Sequence, residues 1–104
     1  MISTVKDTFK TDVLESKKVI LLDVWAPWCA PCRNMEPVLE TLQDEIKQWA
    51  EIVKLDASVE MDQVQELGVS SLPTFLVYKS GQIVDSIVGA TSKANLLDIL
   101  SKAK

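Results

Sequence analysis

Leu21-Leu22-Asp23-Val24-Trp25-Ala26-Pro27-Trp28-Cys29-Ala30-Pro31-Cys32 carries an apolar strand into a short turn and the start of a helix, and it contains both cysteines of the chain. Val19 to Trp25 is near-continuously apolar and of strand length, the pattern of a strand covered on both faces and usually found in parallel sheets. Pro31 brings the fixed φ of a first helical turn, and after it Met35, Val38, Leu39, Leu42 and Ile46 recur at helical spacing. Cys29 therefore stands at a helix N-terminus, where unpaired N–H groups and the positive end of the helix dipole favour thiolate over thiol. Thiolate is the attacking species in disulfide exchange, and two thiols this close in sequence suit exchange as a pair.

The rest of the chain builds outward from that segment. Ile2 to Val5 reads as a short edge strand, followed by a small helix around Phe9, Val13 and Leu14. Pro37 falls inside the long helix, where it removes one backbone hydrogen bond and is expected to kink the axis. Ile52 to Leu55 is the next strand, and Met61, Val64 and Leu67 mark a short helix stopped by Gly68. Thr74 to Tyr78 and Ile83 to Val88 read as an antiparallel hairpin turned at Ser80-Gly81, with the glycine supplying positive φ. The last helix starts near Ser92 and buries Leu96, Leu97, Ile99 and Leu100. No repeat, linker or low-complexity stretch interrupts this β-α-β-α-β-α-β-β-α order, so residues 1–104 are expected to form one domain.

Composition removes several classes of function. A net charge of −4 without a basic cluster lacks the positive field that nucleic acid needs. Neither a signal-peptide core nor a membrane-length apolar run is present, since the longest aliphatic stretch is Val19 to Leu22; the chain is read as cytoplasmic, with no membrane partner. There is no histidine, so neither Ser-His-Asp nor Cys-His catalysis has its base. No Walker A or dinucleotide-binding glycine pattern appears. Structural zinc wants four Cys or His ligands, and two cysteines would suffice only if a dimer shared them, so no metal is assigned. In a reducing compartment the pair reads as catalytic rather than as a structural disulfide, the remaining alternative being two small core residues.

Beyond these readings the chain resembles the thioredoxin family over essentially its whole length. The resemblance rests on TDVL at Thr11 to Leu14, LDVWAPWCAPC at Leu22 to Cys32, Pro37, LPT at Leu72 to Thr74, the Ser80-Gly81 hairpin and VGA at Val88 to Ala90. CxxC alone is a weak signal; WCxPC with an aspartate six residues before the first cysteine and an isolated later proline before a strand is a strong one. The chain departs from the family pattern at Ala30, where glycine is usual, and at Ser70-Ser71-Leu72 before the proline. Alanine lacks glycine's access to positive φ and has a helix propensity higher by up to about 1 kcal/mol, which stiffens the turn into the helix.

The resemblance implies a three-layer α/β/α sandwich with a mixed central sheet, and a disulfide reductase that needs no bound cofactor. Cys29, following Trp28 in the turn, is expected to be partly exposed and to act as nucleophile; Cys32, inside the first helical turn, is expected to be more buried and to resolve the mixed disulfide. Asp23 is the one charged residue in the apolar strand; the resemblance makes it the proton acceptor and donor for Cys32, and a purely structural aspartate is the alternative. Lys54 is the expected ionic neighbour of Asp23, or else a solvated strand-end lysine. Cis bonds make up only about 5–6% of X–Pro bonds in folded proteins, but the resemblance implies one at Pro73, leaving the Leu72 backbone free for an extended substrate. Trp28, Leu72, Pro73, Gly89 and Ala90 form the expected apolar docking surface, with Trp25, Pro31 and Pro37 as structural support. Partners implied are protein disulfides and an NADPH-dependent flavoprotein reductase, the chain itself acting as a monomer. An oxidase or isomerase using the same pair, or a redox-independent binding subunit, stands as the alternative function.

Overall fold

Five strands, β1 (Ile2–Thr4), β2 (Val19–Trp25), β3 (Ala50–Asp56), β4 (Thr74–Lys79) and β5 (Gln82–Val88), form one sheet in the order β1-β3-β2-β4-β5 in the computed structural model, which describes residues 1–104. Three helices, α1 (Ala30–Ile46), α2 (Met61–Glu66) and α3 (Lys93–Ala103), and a π-helical turn over Lys10–Leu14 cover it. None of the helices is long and apolar enough to cross a membrane.

The alternation of side chains along β2 sorts the core into two halves. Val19 and Leu21 face Met35, Leu39, Leu42 and Ile46 of α1 and Leu96 and Leu100 of α3. Ile20, Leu22 and Val24 face the other way, toward Phe9, Val13 and Val64. The period of two along a strand thus explains why a run without polar alternation is needed here: both faces are dry. The result is the expected three-layer α/β/α sandwich.

The sheet is mixed, as the resemblance implied, and β2 has a parallel neighbour on one side only. It pairs parallel with β3, through Leu21↔Ile52 and Asp23↔Lys54, but antiparallel with β4, through Leu22↔Leu76 and Val24↔Thr74. An antiparallel neighbour serves equally well because helices, not strand direction, exclude the water. That mixed pairing positions the site: it sets the beginning of β4 beside the end of β2.

α1 is capped by Cys29 and continues unbroken through Pro37 to Ile46. Ser92 caps α3, its side chain accepting the Asn95 N–H at 3.1 Å. In the β4–β5 hairpin the glycine is not alone in the left-handed region: Ser80 has φ 51° and Gly81 φ 80°. Two consecutive positive φ values match the twist of the flanking strands, which a turn of the opposite hand would splay.

Gly81 is constrained twice, because a Cβ there would lie 2.9 Å from the carbonyl oxygen of Leu14, whereas at Gly68, φ 76°, it would meet nothing within 4 Å. Gly81→Ala is expected to cost about 2–3 kcal/mol and Gly68→Ala about 1 kcal/mol. Urea denaturation with unchanged slope checks both, and equal losses would show that contact with Leu14 is immaterial.

Candidate functional site

The end of β2 and the first turn of α1 hold the two sulfurs. Cys29 is extended, with φ −90° and ψ 107°, and its Sγ accepts the Cys32 N–H at 3.3 Å. Its own N–H donates to the Ala26 carbonyl at 3.1 Å, and the Arg33 guanidinium donates to the Pro27 carbonyl at 2.8 Å, so the turn is tied at both ends. The cysteines are joined as a disulfide. In the reduced state the same N–H and the helix dipole would act on a Cys29 thiolate.

Cys29 is less open than expected. It is 7% exposed and Cys32 2%, both packed with Ala26 and flanked by Trp25 and Leu72. Cys29 remains the less covered of the two, but its neighbours leave little of it accessible. Trp28, by contrast, is 71% exposed, a large aromatic surface beside Cys29.

Asp23, on β2, is buried, with Oδ1 lacking any hydrogen-bond partner. Burial pushes its carboxyl up to about 7; Lys54 acts to lower it and Glu36 to raise it. Lys54 is the ionic neighbour expected, in register with Asp23 and acting on it by its charge, but its ammonium bonds to Glu36 of α1 and lies 4.1 Å from the Trp25 ring centroid. Glu36 was not legible as a site residue, since a glutamate in a helix ordinarily faces solvent. Its offset of four from Cys32, which puts both on one helix face, was the available signal.

The Leu72–Pro73 bond is cis. Pro73 accepts the Gly89 N–H at 2.7 Å, which joins the loop before β4 to the loop after β5. A groove of about 630 Å³ opens beside Cys29. Of the expected docking residues only Trp28 and Leu72 line it; Pro73, Gly89 and Ala90 do not. Its far wall is α2 and the following loop, contributing Met61, Val64, Val69 and Ser70. Met61 thus departs from the helical apolar set expected with Val64 and Leu67: it is 68% exposed at the groove, while Val64 is buried and Leu67 packs against the core. A six-residue helix is too short for its periodicity to tell a core residue from a groove wall.

A family model described as Thioredoxin matches residues 1–102. The chain is 47% identical over 91 residues to the thioredoxin of Streptomyces clavuligerus, covering 88% of this chain and 84% of that one. It is 39% identical over 95 residues to thioredoxin 1 of Synechococcus elongatus, covering 91% and 89%. It is also similar to the bifunctional thioredoxin reductase/thioredoxin of Mycobacterium leprae, 43% identical over 94 residues, which cover 90% of this chain and 20% of that protein.

A carboxyl whose folded pKa of about 7 lies above its ordinary 3.8 binds its proton more tightly folded than unfolded. The stabilisation is complete below the unfolded pKa and is lost as pH rises through about 7, on the order of 4 kcal/mol in all. Asp23→Ala is expected to abolish this decline and to be more stable than the parent at pH 8. Denaturant midpoints of the oxidised proteins between pH 4 and 8 check it; parallel pH profiles would refute it.

Proposed function

The chain belongs to the thioredoxin family and is a thiol–disulfide oxidoreductase that reduces protein disulfides, and we propose that its two sulfurs take separate steps. Reduced Cys29, as thiolate, attacks one sulfur of a substrate disulfide; a Cys29–substrate bond forms and the first substrate thiolate leaves. Cys32 then gives its proton to the Asp23 carboxylate and attacks the Cys29 sulfur. The second substrate thiolate leaves, and the Cys29–Cys32 disulfide holds the two electrons' worth of oxidation. Regeneration runs in reverse, with Asp23 returning the proton.

The observation that carries this assignment is the Cys32 N–H directed at Cys29 Sγ from the first turn of α1, with Cys32 the less exposed residue. A donor already aimed at a sulfur stabilises its anion without reorganisation. Lys54, through its place beside Asp23, modulates the acid; Trp25 and Pro31 support the turn, and Pro37 the helix.

An extended substrate segment is proposed to pair with the Leu72 backbone next to Pro73, its apolar side chains resting against Trp28 and the α2 wall, with Gly89 and Ala90 on the opposite rim. Backbone pairing with shallow apolar contact accepts many sequences at modest affinity for each. The electron donor is proposed to be an NADPH-dependent flavoprotein reductase; the Mycobacterium leprae relative, whose name joins a thioredoxin reductase and a thioredoxin in one protein, supports a reductase partner. The chain is proposed to work as a single-domain monomer in the cytoplasm, where thiols are kept reduced and electrons flow outward through such carriers.

Cys32→Ser is expected to accumulate a mixed disulfide through Cys29 with a protein substrate, and Cys29→Ser to accumulate none, as read by non-reducing electrophoresis and mass spectrometry. Faster alkylation of Cys32 than of Cys29 in the reduced protein at neutral pH would reverse the assignment. Met61→Asp is expected to slow reduction of a protein disulfide severalfold while leaving the reaction with oxidised glutathione nearly unchanged. Equal slowing of both would remove the groove from the docking site.

A further inference from the structure

The Lys54 ammonium has two candidate carboxylates: Asp23, its register partner in the adjacent strand, and Glu36, one turn beyond Cys32 on α1. It binds Glu36. The side chains of Lys54 and Glu36 are only 13% and 30% exposed, and the Trp25 ring lies on the ammonium from another direction. Asp23 Oδ1 is left buried and without a partner although a cation stands in the next strand. A carboxylate bonded to that cation would hold its charge far below neutral pH. It would accept the Cys32 proton readily and return it poorly.

We propose that Glu36 is a positioning residue for the disulfide-exchange reaction, anchoring Lys54 on α1 so that Asp23 keeps the proton affinity a reversible carrier needs. The inference rests on the reading of Asp23 as the proton carrier. Other groups packed around Asp23 do not compete for this role. From β4 its register partner is the uncharged Phe75, and the buried residues of α3 are Leu96, Leu100 and Ala103. On α1, Arg33 is engaged by the Pro27 carbonyl, and Cys32 is neutral in the disulfide. Glu36 and Lys54 are therefore the charges that set the field at Asp23, and they are bonded to each other.

The test reads the Asp23 carboxyl directly, by carbon-13 NMR titration of the oxidised full chain in the parent, Glu36→Gln, Lys54→Met and the double variant. Glu36→Gln keeps the shape of the side chain and releases the ammonium. Its Asp23 midpoint is expected to fall by about one pH unit or more, the effect of an opposite charge drawing close. In the Lys54→Met background the same substitution is expected to produce a clearly smaller fall, because only the direct repulsion by Glu36 is then removed. A midpoint that stays or rises in Glu36→Gln, or falls equally with and without Lys54, would overturn the proposal. In the reduced proteins, the rate of Cys32 attack on a Cys29 mixed disulfide is then followed against pH. A rate profile that moves with the midpoint supports both readings. A midpoint that moves while the profile does not supports the anchoring of Lys54 and removes Asp23 as the carrier.

Discussion

The Cys32 N–H directed at the Cys29 sulfur is the contact on which the rest of the site depends. It exists because a strand ends and a helix begins within a four-residue turn, leaving N–H groups that no carbonyl of the helix can satisfy. A sulfur at the cap position satisfies one of them when oxidised and would be stabilised as an anion by the same group when reduced. The helix must be long and firmly seated for that N–H to stay in place. Met35, Leu39, Leu42 and Ile46 provide the seat, buried in one cluster with residues of β2, β3, β4 and α3.

Asp23 works against the stability that this packing supplies. It occupies a position whose neighbours along the strand, Leu21 and Trp25, turn toward α1, and a leucine there would only add to the core. The acid titrates near neutral pH at the expense of a pH-dependent stability, and its isolation is preserved by an ion pair made between two of its neighbours. Buried ion pairs are weak contributors to stability in general. Here the geometric effect of the pair is the important one, since it determines where a positive charge does not go.

Much of the fold was legible because long periodic segments leave little ambiguity: β2 begins and ends at the residues its apolar run indicates, and α1 and α3 carry their core residues at the expected spacing. The Cys29–Cys32 pair and the buried Asp23 were legible for a related reason, as each residue breaks the pattern of its element. What escaped was decided by tertiary choice. Nothing in the sequence says which of two carboxylates Lys54 will bind, and nothing in a six-residue helix says that Met61 will face a groove. The covering of Cys29 likewise depends on Leu72, forty-three residues away in the chain but packed against the sulfur pair.

The antiparallel register Val24↔Thr74 places the entry of β4 at the exit of β2. Residues 57–71 leave the sheet after β3 and return through Leu72 to that fixed point, so their length and sequence can change while the seat of the sulfurs stays in place. This detour builds the far wall of the groove. A family sharing this layout is free to rewrite the wall, and with it the choice of substrates, while the electron-transfer chemistry stays where it is.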